Sequence, residues 1–166
     1  MDNFDDETRN LAATVLERCR ALGWKAATAE SCTGGLIAGA LTEIAGSSDV
    51  VDRGFVTYSN EAKMQMLGVP SETLAAHGAV SEQTARAMAL GALANSDAGV
   101  SVAVTGVAGP GGGSAEKPVG LVHFAAATPT GIVADHRIFE GDRGAVRHQT
   151  VLHALRMVLS RTESAS

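Results

Sequence analysis

Residues 24–44 read WKAATAESCTGGLIAGALTEI, and this stretch decides the fold. Trp24 to Thr28 is typical of a short β-strand, and Leu36 to Ile44 is typical of a helix. The loop between them, Ser31 to Gly35, ends in two glycines at the predicted N-terminus of that helix. A strand that leads through a short loop into a helix is a building unit of α/β proteins.

The rest of the chain also predicts strands interleaved with helices. Gly99 to Thr105 (GVSVAVT) is rich in β-branched residues and predicts a central buried strand. Val50 to Tyr58 predicts another strand, and Val119 to Ala127 with Gly131 to Phe139 predicts an antiparallel pair. Helices are predicted at Glu7–Leu22, up to Leu67 after a cap at Ser59-Asn60, at Pro70–Ala76, from a Ser81 cap to Asn95, and at Asp142–Ser160.

The predicted fold is therefore α/β: one layered domain over residues 1–166, with a mixed central sheet of about five strands and helices packed on it. We expect an ordered core over residues 6–160 and a polar tail over residues 161–166. With 166 residues the chain can bury a sizeable core.

Composition excludes several classes of protein. The net charge is −5 and no basic run occurs, which argues against nucleic acid as a partner. No apolar stretch approaches the ~18 residues of a membrane span, and the acidic N-terminus is unlike a signal peptide. Two cysteines, Cys19 and Cys32, do not make a disulfide framework. We expect a cytoplasmic enzyme or binding domain for a small molecule; a homo-oligomer is possible, and the sequence does not decide it.

The loop after the first strand is the first candidate site. Ser31 follows a strand and precedes a helix, so it has the position of a nucleophile, and N–H groups of Cys32, Thr33, Gly34 and Gly35 could stabilise an anion. Alternatively, Ser31 or Thr33 is the N-cap of the following helix, and this interpretation explains the composition of the loop equally well.

Lysine is the candidate base. The chain has only three lysines, and none of its five histidines lies in a loop with acidic support, so a histidine triad is not indicated. If the strand before Tyr58 lies beside the strand before Ser31, Lys63 emerges at the same sheet edge, and a desolvated lysine can accept a proton. Tyr58 and Thr105 would lie nearby. The alternative is a surface ion pair of Lys63 with Glu61. No cysteine and histidine cluster has metal-site spacing, so neither metal nor cofactor is expected.

Two further segments could bind the substrate. The loop after Thr105 contains Gly106, Gly109, Gly111 and Gly112, which could admit a phosphate or ribose, and it ends at Lys117; its spacing matches no Rossmann or Walker motif. A flexible connection is the alternative. Arg143 and Arg147 lie one helical turn apart and could clamp a phosphate, or could pair with Glu140 or Asp142.

Several motifs in one order resemble the C-terminal domain family of the competence/damage-inducible protein CinA. They are Glu30-Ser31-Cys32-Thr33-Gly34-Gly35, Tyr58-Ser59-Asn60-Glu61-Ala62-Lys63, Gly78-Ala79-Val80-Ser81, Thr105-Gly106-Val107-Ala108-Gly109-Pro110-Gly111-Gly112 with Lys117-Pro118-Val119-Gly120, and Gly141-Asp142-Arg143. The resemblance covers roughly Leu11 to Leu159 and is to the stand-alone form.

This resemblance implies an amidase that converts nicotinamide mononucleotide to nicotinate mononucleotide and ammonia in pyridine-nucleotide salvage. It implies Ser31 as the nucleophile and Lys63 as its base, with Tyr58 and Thr105 nearby. Two alternatives stay open: a nucleotide-binding regulatory domain without catalysis, and Cys32 as the nucleophile, since thiolates form readily at helix N-termini.

Overall fold

A computed structural model of the protein describes residues 2–165; Met1 and Ser166, which the predicted domain includes, lie outside the described residues. Helices and strands alternate in the first part of this range, and three consecutive helices, three consecutive strands and a last helix follow. The helices are α1 (Asp6–Leu22), α2 (Leu36–Thr42), α3 (Asn60–Leu67), α4 (Ser71–His77), α5 (Glu82–Ala94) and α6 (Arg143–Ala165), and the strands are β1 (Ala26–Glu30), β2 (Val51–Val56), β3 (Val100–Gly106), β4 (Leu121–Thr128) and β5 (Gly131–Ile138). Within residues 2–165, no helix is both long and apolar enough to cross a membrane.

The five strands form one mixed sheet in the order β2-β1-β3-β4-β5. β1 runs parallel to β2 and to β3, whereas β4 runs antiparallel to both β3 and β5. The predicted α/β fold with a mixed sheet of about five strands is confirmed. β3 is the middle strand and is buried along almost its whole length, as its β-branched sequence predicts.

Helices cover both faces of the sheet because side chains alternate between the two faces along each strand. Val102 and Val104 pack with Phe124 in the core beneath α1, α2 and α6. Ala103 and Ala125 face α3 and α5 on the other side. The alanine-rich face carries little side-chain volume, so these helices can lie close to the sheet.

The helix ends follow the predicted signals. Gly23 ends α1 with a left-handed φ of 69°, and the Ser59 and Ser81 side chains accept N–H hydrogen bonds that cap α3 and α5. Several boundaries shift by one or two residues; β1, for example, begins two residues later than predicted and continues to Glu30. The largest difference is at α6, which does not end at Ser160.

The polar tail predicted from residue 161 is wrong for residues 161–165, since α6 continues to Ala165. Arg161 donates hydrogen bonds to Thr128 Oγ1 (2.8 Å) and to the Gly131 carbonyl, so it ties the helix to the turn between β4 and β5. Thr162 is only 1% exposed. These contacts stabilise the last turn, which its polar composition alone does not predict.

Candidate active site

The side chains of the candidate site converge where the parallel strands β1, β2 and β3 end. Carboxyl ends of parallel strands meet at one edge of a sheet, where α/β proteins bind their ligands. The segment after β1 carries Ser31, β3 carries Thr105 near its end, and Lys63 lies on α3, which follows β2. They line a cavity of about 220 Å³ whose walls are Ser31, Cys32, Tyr58, Lys63, Ala79, Val80, Thr105, Gly106, Ala108 and Arg143.

Ser31 and Lys63 are in direct contact. Lys63 Nζ lies 3.0 Å from Ser31 Oγ, and the two side chains are 1% and 9% exposed. The amine also donates to the carbonyl oxygens of Thr57 (2.9 Å) and Tyr58 (3.2 Å). Because Lys63 is enclosed by these oxygen atoms, the surface ion pair with Glu61 does not form.

Burial lowers the pKa of Lys63 from its ordinary value of 10.5. A neutral amine has two N–H bonds and one lone pair. Donating the two N–H bonds to Thr57 and Tyr58 leaves the lone pair for the Ser31 hydroxyl. The geometry therefore suits transfer of the serine proton to the amine.

Glu30 is a site residue that the sequence analysis missed. Its carboxylate is 1% exposed and accepts three hydrogen bonds, from Thr33 Oγ1 (2.6 Å), Ile37 N (2.8 Å) and Ala38 N (3.0 Å). It fills the N-terminus of α2, where the sequence analysis expected an external anion. The one available signal was a glutamate at the end of an alanine-rich strand.

The loop after Ser31 turns sharply through two glycines. Gly34 and Gly35 adopt φ values of +57° and +107°, a region that other residues rarely adopt. Gly34 N–H donates to the Ser31 carbonyl (3.0 Å), so Gly34 is not a free anion donor. The N–H groups of Cys32, Thr33 and Gly35 remain candidates.

Cys32 lines the cavity but its thiol is protonated at neutral pH. It is 6% exposed, and burial raises its pKa to about 11. Since the thiolate is the reactive form, this disfavours the alternative in which Cys32 is the nucleophile.

Thr105 and Tyr58 border the cavity in different ways. Thr105 is 1% exposed and its hydroxyl donates to the Ala79 carbonyl (2.8 Å), which fixes the segment that covers the cavity. Tyr58 is 63% exposed, and its hydroxyl lies 3.2 Å from Arg143 Nη2. Tyr58 and Arg143 therefore form the mouth of the cavity.

Arg143 and Arg147, which the sequence predicts as a phosphate clamp, contact different parts of the protein. Arg143 donates to the Gly109 carbonyl (2.8 Å) and lines the cavity. Arg147 instead donates to the carbonyls of Cys32 and Thr33, so it supports the Ser31 loop from outside. Lys117 Nζ donates to the His77 carbonyl (2.7 Å), away from the cavity lining.

Comparison with known proteins identifies the family. A model of the CinA C-terminal domain matches residues 8–162. The chain belongs to the CinA C-terminal domain family. It is 53% identical over 152 residues to nicotinamide-nucleotide amidohydrolase PncC of Escherichia coli K12, covering 91% of this chain and 92% of that protein. The protein of the same name from Enterobacter agglomerans is 55% identical over 150 residues, covering 90% of this chain and 92% of that protein.

Solved structures agree with this assignment. The competence/damage-inducible protein CihA of Agrobacterium tumefaciens has 56% sequence identity and a TM-score of 0.94, over 96% of this chain and 98% of that one. The resemblance to the CinA family noted from the sequence is thus confirmed.

This CinA domain has a second cavity beside the first. It measures about 470 Å³ and shares Ala108 and Arg143 with the cavity around Ser31; its other walls are Pro110, Val119, Gly141, Asp142 and Gly144. Gly111 and Gly112 line neither cavity, although the sequence analysis grouped them with the substrate contacts. Within residues 2–165, no three histidine, cysteine, aspartate or glutamate side chains are arranged to hold a metal ion.

Proposed function

We propose that this protein hydrolyses the carboxamide of nicotinamide mononucleotide to give nicotinate mononucleotide and ammonia, a step of pyridine-nucleotide salvage. The observation that carries the proposal is the buried contact of 3.0 Å between Ser31 Oγ and Lys63 Nζ at the wall of a cavity. The name of the PncC relatives, nicotinamide-nucleotide amidohydrolase, supports the substrate and the reaction.

The first half of the reaction is acylation of Ser31. Its Oγ attacks the amide carbon while Lys63 Nζ takes the hydroxyl proton. The resulting oxyanion accepts hydrogen bonds from the backbone, with Cys32 N–H, on the residue after the nucleophile, as the first candidate. Each such donor is typically worth ~3 kcal/mol in the transition state. Lys63 then gives the proton to the amide nitrogen, the C–N bond breaks and ammonia leaves.

The second half restores the enzyme. Water attacks the ester carbon of the acylated Ser31 and gives a proton to Lys63, which returns it to Ser31 Oγ as the ester bond breaks. The carboxylic acid product ionises. Water is the second reactant, and the two steps balance without a further co-reactant.

Arg143 is the residue that we assign to the substrate phosphate. Its guanidinium lies at the mouth of the Ser31 cavity and on the wall shared with the second cavity. The pyridine carboxamide would occupy the smaller cavity, with the ribose and phosphate directed past Arg143. Guanidinium groups bind phosphate well because their N–H bonds match its oxygens in geometry and charge.

Substitution of Ser31 by alanine tests the proposal. We expect Ser31→Ala to lose ammonia release by about 10⁴-fold or more while the protein stays folded. The matched control is Cys32→Ala, next in sequence and in the same cavity, which should retain activity within a few-fold. The substrates for comparison are nicotinamide, its riboside, its mononucleotide and its dinucleotide.

Two outcomes would separate the alternatives. Near-native turnover by Ser31→Ala would remove Ser31 as the nucleophile. Saturable binding of nicotinamide mononucleotide by the unmodified protein, without ammonia release, would instead favour the regulatory domain. The cytoplasmic location and the absence of a nucleic-acid or membrane partner stay predictions from the composition.

A further inference from the structure

Strand β5 forms one edge of the sheet and offers a long unpaired side. It has eight residues, and within residues 2–165 it pairs only with β4. A strand edge of this length presents a row of backbone donors and acceptors that can pair with another chain.

The outward backbone groups of β5 can be assigned from its pairing with β4. Phe139 N–H donates to the Gly120 carbonyl (2.9 Å), and Ile138 lies opposite Leu121 in the same register. In an antiparallel ladder, alternate residues turn their backbone groups towards the same neighbour. Odd-numbered residues of β5 therefore bond to β4, and the N–H and C=O groups of Ala134, His136 and Ile138 point to the free edge.

Large apolar side chains are exposed along this edge. Val133 is 45% exposed and Ile138 is 62% exposed. The two side chains lie on opposite faces of the sheet, and on the face of Val133, Phe139 and Met157 contribute to a groove of about 540 Å³ between β5 and α6. Exposed apolar side chains beside an unpaired strand are typical of a surface that binds another protein.

We infer that two copies of this chain associate through β5, antiparallel, about a twofold axis at His136. The axis is perpendicular to the sheet, so each face of one copy continues the same face of the other. Side chains of residues that lie opposite each other point to the same face, and faces alternate along a strand, so both residues must have odd numbers or both must have even numbers. The axis therefore passes through a residue of β5 and not between two residues.

Charge complementarity selects the register. An axis at Asp135 or at Arg137 places that charge opposite its own copy. An axis at His136 places Asp135 opposite Arg137 of the partner subunit, and Arg137 opposite Asp135 of the partner subunit.

The same axis also matches the apolar residues. It places Val133 opposite Phe139 of the partner subunit and Ala134 opposite Ile138 of the partner subunit. An axis at Ala134 would instead place Val133 opposite Asp135 of the partner subunit.

The backbone fits this register as well. With the axis at His136, outward-pointing residues meet outward-pointing residues, so His136 and its copy exchange two N–H···O=C bonds, as do Ala134 and Ile138 of the partner subunit. Asp135 and Arg137 of the partner subunit then form a pair without backbone bonds, in which side chains come closest. Within one chain Asp135 and Arg137 already lie 3.2 Å apart, so the four charges would form one network.

Charged residues in the middle of an edge strand can also serve to prevent pairing. Charge-reversal variants distinguish the two roles, with the mass in solution measured by light scattering after gel filtration. We expect the unmodified protein to have the mass of two chains. Asp135→Arg and Arg137→Asp should each have the mass of one chain, because each places like charges opposite each other twice in the dimer.

Mixing the two variants provides the test of the register. In a mixed dimer both arginines of Asp135→Arg face aspartates of Arg137→Asp, so the 1:1 mixture should regain the mass of two chains. The double variant, with both substitutions in one chain, should also be dimeric. The control is Arg20→Asp, which makes the same charge change on α1 in an exposed pair with Asp49 and should stay dimeric.

Folding is checked separately, because Asp135→Arg also loses the contact of Asp135 with His153 (2.9 Å). Ile138→Lys leaves that contact in place at an exposed position and should likewise have the mass of one chain. The inference is overturned if the unmodified protein has the mass of one chain. It is also overturned if Arg137→Asp and Ile138→Lys both stay dimeric, or if the folded charge variants fail to associate on mixing.

Discussion

Replacement of Glu30 by glutamine should destabilise the protein strongly, although the side chain keeps its size. Thr33 Oγ1 and Ile37 N both bind Glu30 Oε1, and the glutamine carbonyl oxygen can keep these two contacts. The amide NH₂ group then faces Ala38 N–H, donor against donor, in place of a 3.0 Å hydrogen bond. A lost hydrogen bond to a buried charged acceptor costs ~1.5–3 kcal/mol, and the lost charge at the α2 N-terminus ~0.3–1 kcal/mol. The free energy of unfolding of Glu30→Gln should therefore be lower by about 2–4 kcal/mol.

Urea denaturation, followed by circular dichroism, measures this difference. Thermal unfolding should show the same change as a fall in Tm of about 5–15 °C, given the ~2–4 °C per kcal/mol typical of this chain length. The matched control is Glu43→Gln, an exposed carboxylate at the other end of α2, which should stay within about 0.5 kcal/mol. If Glu30→Gln also stays within about 0.5 kcal/mol, the carboxylate does not hold the Ser31 loop as described.

Two further predictions concern turnover. Because the base must be neutral, kcat/KM should rise as pH increases through the pKa of Lys63 and then level off. Burial lowers that pKa, so the midpoint of the rise should lie below 10.5. A midpoint at or above 10.5 would contradict a desolvated base. Arg143→Ala should raise KM for the mononucleotide about 10- to 100-fold, the loss of a charge-assisted hydrogen bond, with little change in kcat. Nicotinamide riboside, which lacks the phosphate, is the control substrate, and a fall in kcat at constant KM would remove Arg143 from phosphate binding.

Local sequence signals predicted most of the fold. The run from Gly99 to Thr105 marked the central strand because a strand covered on both faces needs no polar alternation. Glycine and serine at helix ends marked α1, α3 and α5 because their backbone and side chains satisfy groups that the helix leaves free. The end of α6 was missed because Arg161 is anchored by the distant turn at Thr128, which no local signal shows.

The sequence could predict only those site contacts that follow from two strands being neighbours in the sheet. Ser31 and Lys63 could be brought together on the assumption that their two strands are neighbours, and β1 does pair with β2. Glu30 was missed because its carboxylate bonds to backbone groups seven and eight residues further along, which spacing alone does not indicate. Arg147 and Lys117 were grouped with the substrate contacts because nothing in the sequence shows that both side chains lie outside the lining of the two cavities.

Burial of the cavity wall has opposite effects on its two most reactive side chains. Removal of water disfavours a charged group of either sign, so it lowers the pKa of the Lys63 amine and raises the pKa of the Cys32 thiol to about 11. The negative charge of Glu30 raises the pKa of Cys32 further. A neutral amine is a competent base, whereas a neutral thiol is a poor nucleophile. In the proposed reaction, the same desolvation that lowers the pKa of Lys63 keeps the adjacent thiol protonated, and the Ser31 hydroxyl, 3.0 Å from the amine, is the group that can pass its proton to Lys63.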